Sequence, residues 1–132
     1  VKITADTNVL IRATVVDDAR QSRIARDTLA RAECVALTLP ALCELVWVLS
    51  RGYKIPKSEI AHGMRVLIDG ANVIIDRLAV EAGLIALESG GDFADGVIAF
   101  EGSRLGAETF VSFDKQAVKL LKAQGGSARL LS

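Results

Sequence analysis

Four acidic residues fall where a small α/β chain could gather them into one pocket. Asp6 follows the opening strand, Glu44 lies inside an apolar helix, Asp95 stands at the start of another helix, and Asp114 follows a late strand. With no Cys or His cluster beside them, they make an oxygen-only donor set. Such a set suits a hard divalent cation, Mg²⁺ or Mn²⁺, and argues against structural zinc. His62 is the only histidine and is remote in sequence from all four acids. It reads as a surface or partly packed side chain, which leaves no general base among the imidazoles. Hydrolysis at this site would need the metal to generate the nucleophile and to stabilise charge at a phosphate.

Each acid also has a plainer explanation. Asp6 and Asp114 precede helices, where Asp is a favoured cap, and Asp92 with Asp95 makes an Asp-x-x-Asp step that can be a capping pair. Asp95, however, borders the apolar run Val97-Ile98-Ala99-Phe100. Glu44 is the hardest to dismiss. Ala41-Leu42-Cys43 precede it and Leu45-Val46-Trp47-Val48-Leu49 follow. Burying an unpaired carboxylate there would cost roughly several kcal/mol, so a metal ion or a nearby Arg is expected to compensate it.

The elements that would position these residues are legible from periodicity and turn chemistry. Short strands are predicted over 2–5, 34–39, 72–75, 109–113 and 128–131. Helices are predicted over 9–15, 18–31, 40–50, 58–69, 79–87, 93–105 and 114–123. Pro40 suits the first turn of the helix carrying Glu44, and Gly90-Gly91 forms the turn that leads into Asp92. Strands and helices alternate without a repeat, low-complexity block or linker. The alternation predicts one domain over 1–132, an α/β three-layer sandwich with a central, mainly parallel sheet flanked by helices. In such a sheet, ligands bind where the strands end and helix N-termini converge, which is where Asp6 and Asp114 fall.

Composition sets the remaining bounds. A chain of 132 residues, half of them hydrophobic, can bury a core of useful size and is not a disordered tail. Its apolar content is aliphatic rather than aromatic, and the excess leaves room for an oligomer contact. The formal charge is zero, so a polyanionic substrate must be drawn by local Arg and Lys or by bound metal. The helix over 18–31 carries Arg20, Arg23, Arg26 and Arg31 on what reads as a solvated outer face. Cys34 and Cys43 read as two buried thiols in a reducing cytoplasm. The first residues enter a strand with no signal-peptide pattern, and the longest apolar stretch, 34–49, is interrupted by Pro40 and Glu44, so no membrane span is expected.

The chain resembles the PIN-domain ribonucleases, and among them the VapC-type toxins of prokaryotic toxin-antitoxin pairs. The resemblance spans nearly the whole sequence. It rests on Asp6-Thr7-Asn8 after the first strand, Glu44 early in a helix, Asp92-Phe93-Ala94-Asp95 before Val97-Ile98-Ala99, and Ser112-Phe113-Asp114 at the fourth strand. It implies a metal-dependent endoribonuclease with Asp6, Glu44 and Asp95 as metal ligands and Asp114 acting directly or through water. Asn8 and Ser112 would be polar neighbours orienting ligands or the attacking water. Ser112 stands where the family usually has Thr, keeping the hydroxyl and losing the methyl, and Asp92 is an additional acid. The implied partners are an RNA substrate, a cognate antitoxin and a second copy of the chain. Trp47, Val48 and Tyr53 are candidate apolar contacts for that homodimer.

Other classes fit less well. A receiver-type signalling domain needs a paired acid after the first strand and a Lys after the last, whereas Asp6 stands alone and only Asp76 after the third strand conforms. A haloacid-dehalogenase-type phosphatase needs Asp-x-Asp after the first strand, and Asn8 holds the second place. A PIN-like module that binds RNA or protein without cutting remains the alternative, and the complete acid set speaks against it.

Overall fold

The computed structural model describes residues Val1–Ser132. The chain forms two compact units, Val1–Asp76 and Arg77–Ser132. The first contains β1 (Lys2–Thr4), α1 (Thr7–Thr14), α2 (Ala19–Arg31), β2 (Cys34–Ala36), α3 (Leu39–Trp47), a π-helical turn over Val48–Gly52, α4 (Lys57–Ile68) and β3 (Val73–Ile74). Its three strands are parallel in the order β1-β2-β3. Parallel strands need helical crossovers, and the amphipathic helices between these strands provide them.

β2 is the middle strand. Val35 at its centre and Leu37 just beyond it are buried, beside Leu10 of α1, Leu42, Leu45 and Val46 of α3, and Ile60 and Met64 of α4. Each such side chain stabilises the fold by about 1.5–3 kcal/mol when fully buried. β1 forms one edge of this sheet, and only Ile3 within it is half-buried.

Local chemistry sets the helix ends. Thr38 caps α3, its hydroxyl accepting the Ala41 N–H, and Pro40 occupies the first turn, where its missing N–H costs nothing. The helix expected to run through Ser50 is α-helical only to Trp47 and then widens, with the Tyr53 N–H donating to the Val48 carbonyl. Tyr53 is thereby set where its hydroxyl donates to Asp17 Oδ2 at 2.9 Å, while Arg12 donates to Asp17 Oδ1 at 2.8 Å. These partners hold the Asp17 carboxyl below the usual range, the Tyr53 hydrogen bond being the larger cause. Cys34 and Cys43 form no disulfide and are half-buried rather than fully buried.

The second unit contains α5 (Arg77–Glu88), α6 (Phe93–Arg104), β4 (Phe110–Ser112), α7 (Lys115–Ala123) and β5 (Ala128–Leu130). β4 and β5 pair in parallel, with Ser112 opposite Leu130. α5 and α6 pack very closely because glycines line their contact. A Cβ on Gly83 would stand 2.7 Å from the Phe93 ring, and one on Gly96 would stand 2.5 Å from the Ala82 carbonyl oxygen. Phe93, Leu84, Leu87 and Val80 are buried there. Each unit thus carries parallel strands flanked by helices, the α/β class expected. No helix is long and apolar enough to cross a membrane.

Candidate active site

In the first unit the strand register brings one set of residues to a common edge. Thr4 pairs with Ala36 and Ala36 with Ile74, so Asp6, Thr38 and Asp76 each lie two residues beyond paired positions at the carboxyl end of the sheet. Asp6 occupies the cap position of α1. Its backbone carbonyl accepts the Val9 and Leu10 N–H groups, but its side chain makes no capping hydrogen bond. The plain capping explanation therefore does not account for the Asp6 carboxylate, which is exposed together with Asn8, while Thr7 between them is buried.

Glu44 departs from the expectation drawn from its neighbours. The side chain is exposed, although Leu42, Leu45 and Val46 around it are buried. α3 is apolar on nearly every side in sequence, yet residue 44 falls on the face turned to solvent, so desolvation supplies no argument for a bound cation here. Asp76 joins the same strand edge and is half-buried. Sequence reasoning used it only to weigh a signalling domain. Its equivalent placement to Asp6, past a register-matched strand, was the signal available.

In the second unit three acids are held around two helix starts. The turn before α6 depends on glycine. Gly90 has φ +90°, and a Cβ on Gly91 would stand 2.6 Å from Leu120 and 3.1 Å from the Ala86 carbonyl oxygen. Asp92 then caps α6 by accepting the Ala94 N–H at 3.1 Å. At the other helix start, Asp114 lies two residues beyond β4, and its Oδ1 accepts from the Gln116 N–H at 2.9 Å and the Ala117 N–H at 3.2 Å. Ser112 Oγ accepts the Asp114 N–H at 3.0 Å. The Gln116 side chain donates to the Gly90 carbonyl at 3.1 Å, tying the start of α7 to the glycine turn.

Asp95 sits in the first turn of α6, half-buried. Desolvation pushes its carboxyl above the ordinary range, and the charges of Asp92 and Asp114 push it further. A group crowded in this way favours a proton or a cation as its neighbour. The donor chemistry fits a hard divalent cation. The spacing is looser than a finished cage, since within neither unit do three His, Cys, Asp or Glu side chains stand close enough to hold a metal ion.

The structure thus couples Asp92, Asp95 and Asp114 electrostatically within one unit. It places Asp6 at the sheet edge of the other, with Glu44 on the solvent face of α3. Ser112 has a definite local task, fixing the backbone of Asp114. His62 is exposed, as expected.

A family profile described as PIN domain matches residues 3–122 of the chain. No curated protein matches it.

Proposed function

This chain belongs to the PIN domain family, and from that premise we propose that it is a divalent-metal-dependent endoribonuclease acting in the cytoplasm as the toxin of a toxin-antitoxin pair. PIN domains are generally nucleases and generally depend on a divalent metal. The observation that carries the reading to this chain is Asp95, a half-buried carboxyl at a helix start, destabilised first by its desolvation and then by the charges of Asp92 and Asp114. Such crowding is costly to a fold and useful to a cation site.

In this reading Asp6, Glu44 and Asp95 hold Mg²⁺ or Mn²⁺, Asp114 and Asp92 add negative charge directly or through water, and Asn8 and Ser112 orient these groups. The cation supplies activation of water and neutralisation of charge on the phosphate. The chain supplies the fixed carboxylates, with Asp114 and Asp92 immobilised by their backbone hydrogen bonds. The profile extends over residues of both units, which supports treating 1–132 as one functional domain. A homodimer and a cognate antitoxin, whose basic side chain would pair with the acids through charge-assisted hydrogen bonds, complete the proposal.

Single-stranded RNA should be cut with Mg²⁺ or Mn²⁺, left intact after chelation, and cut poorly with Ca²⁺, whose larger and looser coordination sphere positions water less well. Cleavage that survives exhaustive chelation would refute a metal mechanism. One observation favours a second reading, an RNA-binding module without cleavage: Asp92 and Asp114 are both engaged as helix caps. RNA that is bound but never cut with either metal would select that reading.

A further inference from the structure

Phe113 stands between the serine that fixes Asp114 and Asp114 itself, and it is 75% exposed. A phenylalanine left in water gives up most of the stabilisation its burial would bring, so core packing does not account for it. The peptide groups on either side of it are hydrogen-bonded. The Leu131 N–H donates to the Ser112 carbonyl, Ser112 Oγ accepts from Asp114, and Asp114 accepts from Gln116 and Ala117. The backbone that carries the ring is thus held on both sides.

Asp114 adjoins Phe113, and two exposed cations lie near it, one by strand register and one by sequence. Val111 pairs with Arg129 across the β4-β5 ribbon, and paired residues share a face. Phe113 lies two positions past Val111, just beyond the end of β4, and Val111, Arg129 and Phe113 are all exposed. Lys115 follows at the first position of α7 and is exposed. A cation there meets the positive end of the helix dipole, so helix stability does not explain it either.

An exposed aromatic ring on a hydrogen-bonded backbone, with Arg129 near it in register and Lys115 near it in sequence, matches the way single-stranded nucleic acid is held, with a base stacked on the ring and phosphates on the cations. We infer that Phe113 is the platform on which a base of single-stranded RNA stacks next to the Asp95–Asp114 acids, with Arg129 and Lys115 taking adjoining phosphates. The inference rests on the nuclease reading for its substrate class, and Phe113 is a positioning residue within it.

The test uses the full chain and a single-stranded RNA oligonucleotide carrying one 2-aminopurine, in EDTA so that binding is read without cleavage. Wild-type protein should quench the fluorophore. Phe113→Trp should retain the quench. Phe113→Ala and Phe113→Leu should each weaken binding by about tenfold to a hundredfold, Leu failing because it keeps apolar area and loses the π face. Leu binding as tightly as Phe would overturn stacking, as would Ala matching wild type or a wild-type protein that never quenches. In a parallel Mg²⁺ assay, Phe113→Ala should raise KM more than it lowers kcat. A wild-type protein that quenches without cutting would end the nuclease reading and leave the platform standing. A Phe113→Ala protein that cuts with unchanged KM would do the reverse. If that variant instead turns a wild-type dimer into a monomer with RNA affinity intact, the ring belongs to a protein contact and the inference fails.

Discussion

Gly96 rests against the backbone of Ala82 so closely that a Cβ at position 96 would stand 2.5 Å from the Ala82 carbonyl oxygen. Ala86 Cβ and Gly83 Cα lie 2.8 and 3.0 Å from the same point, so the obstruction is mostly backbone and cannot swing aside. The preceding residue in the chain is Asp95, and the approach of the two helices therefore fixes where its backbone sits. Gly96→Ala should destabilise the protein by about 1–3 kcal/mol, as overpacking does, and should depress RNA cleavage more than the loss of folded protein explains. Gly102 of the same helix has open space around its Cβ position. Gly102→Ala should leave urea unfolding unchanged or shift it upward, since alanine favours a helix over glycine by about 0.5–1 kcal/mol. Equal unfolding midpoints for the two variants would contradict the packing argument.

Asp95 should make stability fall with rising pH. Its folded carboxyl lies above its ordinary value of 3.8, so between the unfolded and folded pKa values the native state binds more protons than the unfolded one. Stability then decreases as pH rises through that window and stays lowered above it. Asp95→Asn removes the penalty, so the metal-free variant should unfold at higher urea than metal-free wild type at neutral pH. The two should converge below the unfolded pKa. The same variant should lose cleavage. A variant less stable than wild type at pH 7, or one that cuts RNA at the normal rate, would show that this carboxyl is not the strained centre of the site.

Capping and chemistry can be separated at Asp114. Its side chain accepts two backbone N–H groups, and asparagine caps as well as aspartate. Asp114→Ala should cost about 1 kcal/mol of stability, whereas Asp114→Asn should unfold like wild type. If the charge of Asp114 serves cleavage, both variants lose activity, and if the residue only caps α7, Asn restores it. Asp6 offers the contrasting case because its side chain makes no capping bond. Asp6→Ala should leave the unfolding midpoint near wild type while abolishing cleavage, and a marked loss of stability would assign Asp6 a structural task.

The pattern of residue types made the class legible. Alternating apolar strands and amphipathic helices required parallel pairing with crossovers, and the glycine pair before Asp92 marked a turn whose necessity is visible in the contacts of Gly91. Capping at Asp92 and Asp114 was equally readable, because Asp before a helix has a local partner in the backbone. The exposure of Glu44 was not. α3 has apolar residues on either side of position 44, and which of its faces meets the sheet is decided by tertiary packing that neighbours in sequence do not encode. The wide turn at Val48–Gly52 escaped for a related reason: its hydrogen-bond partner for Tyr53, Asp17, lies far away in sequence. The closeness of α5 and α6 depends on Gly83 and Gly96 facing each other, and periodicity alone gives no register between two helices.

Trp47 carries the case for a second copy of the chain. It is 60% exposed at the end of α3, where its neighbours Val46 and Leu45 are buried, so the fold has spent the adjacent positions on the core and left the largest side chain outside. An indole that size contributes strongly when an interface covers it. Tyr53 is also partly exposed, but its hydroxyl is held by Asp17, which makes it a fixed rather than a mobile neighbour. Sedimentation at micromolar concentration should give twice the chain mass for wild type. Trp47→Lys should sediment as a monomer with little change in the unfolding of the isolated chain, because an exposed position tolerates a charge. A wild-type protein that stays monomeric, or a Trp47→Lys protein that remains a dimer, would remove Trp47 from the interface.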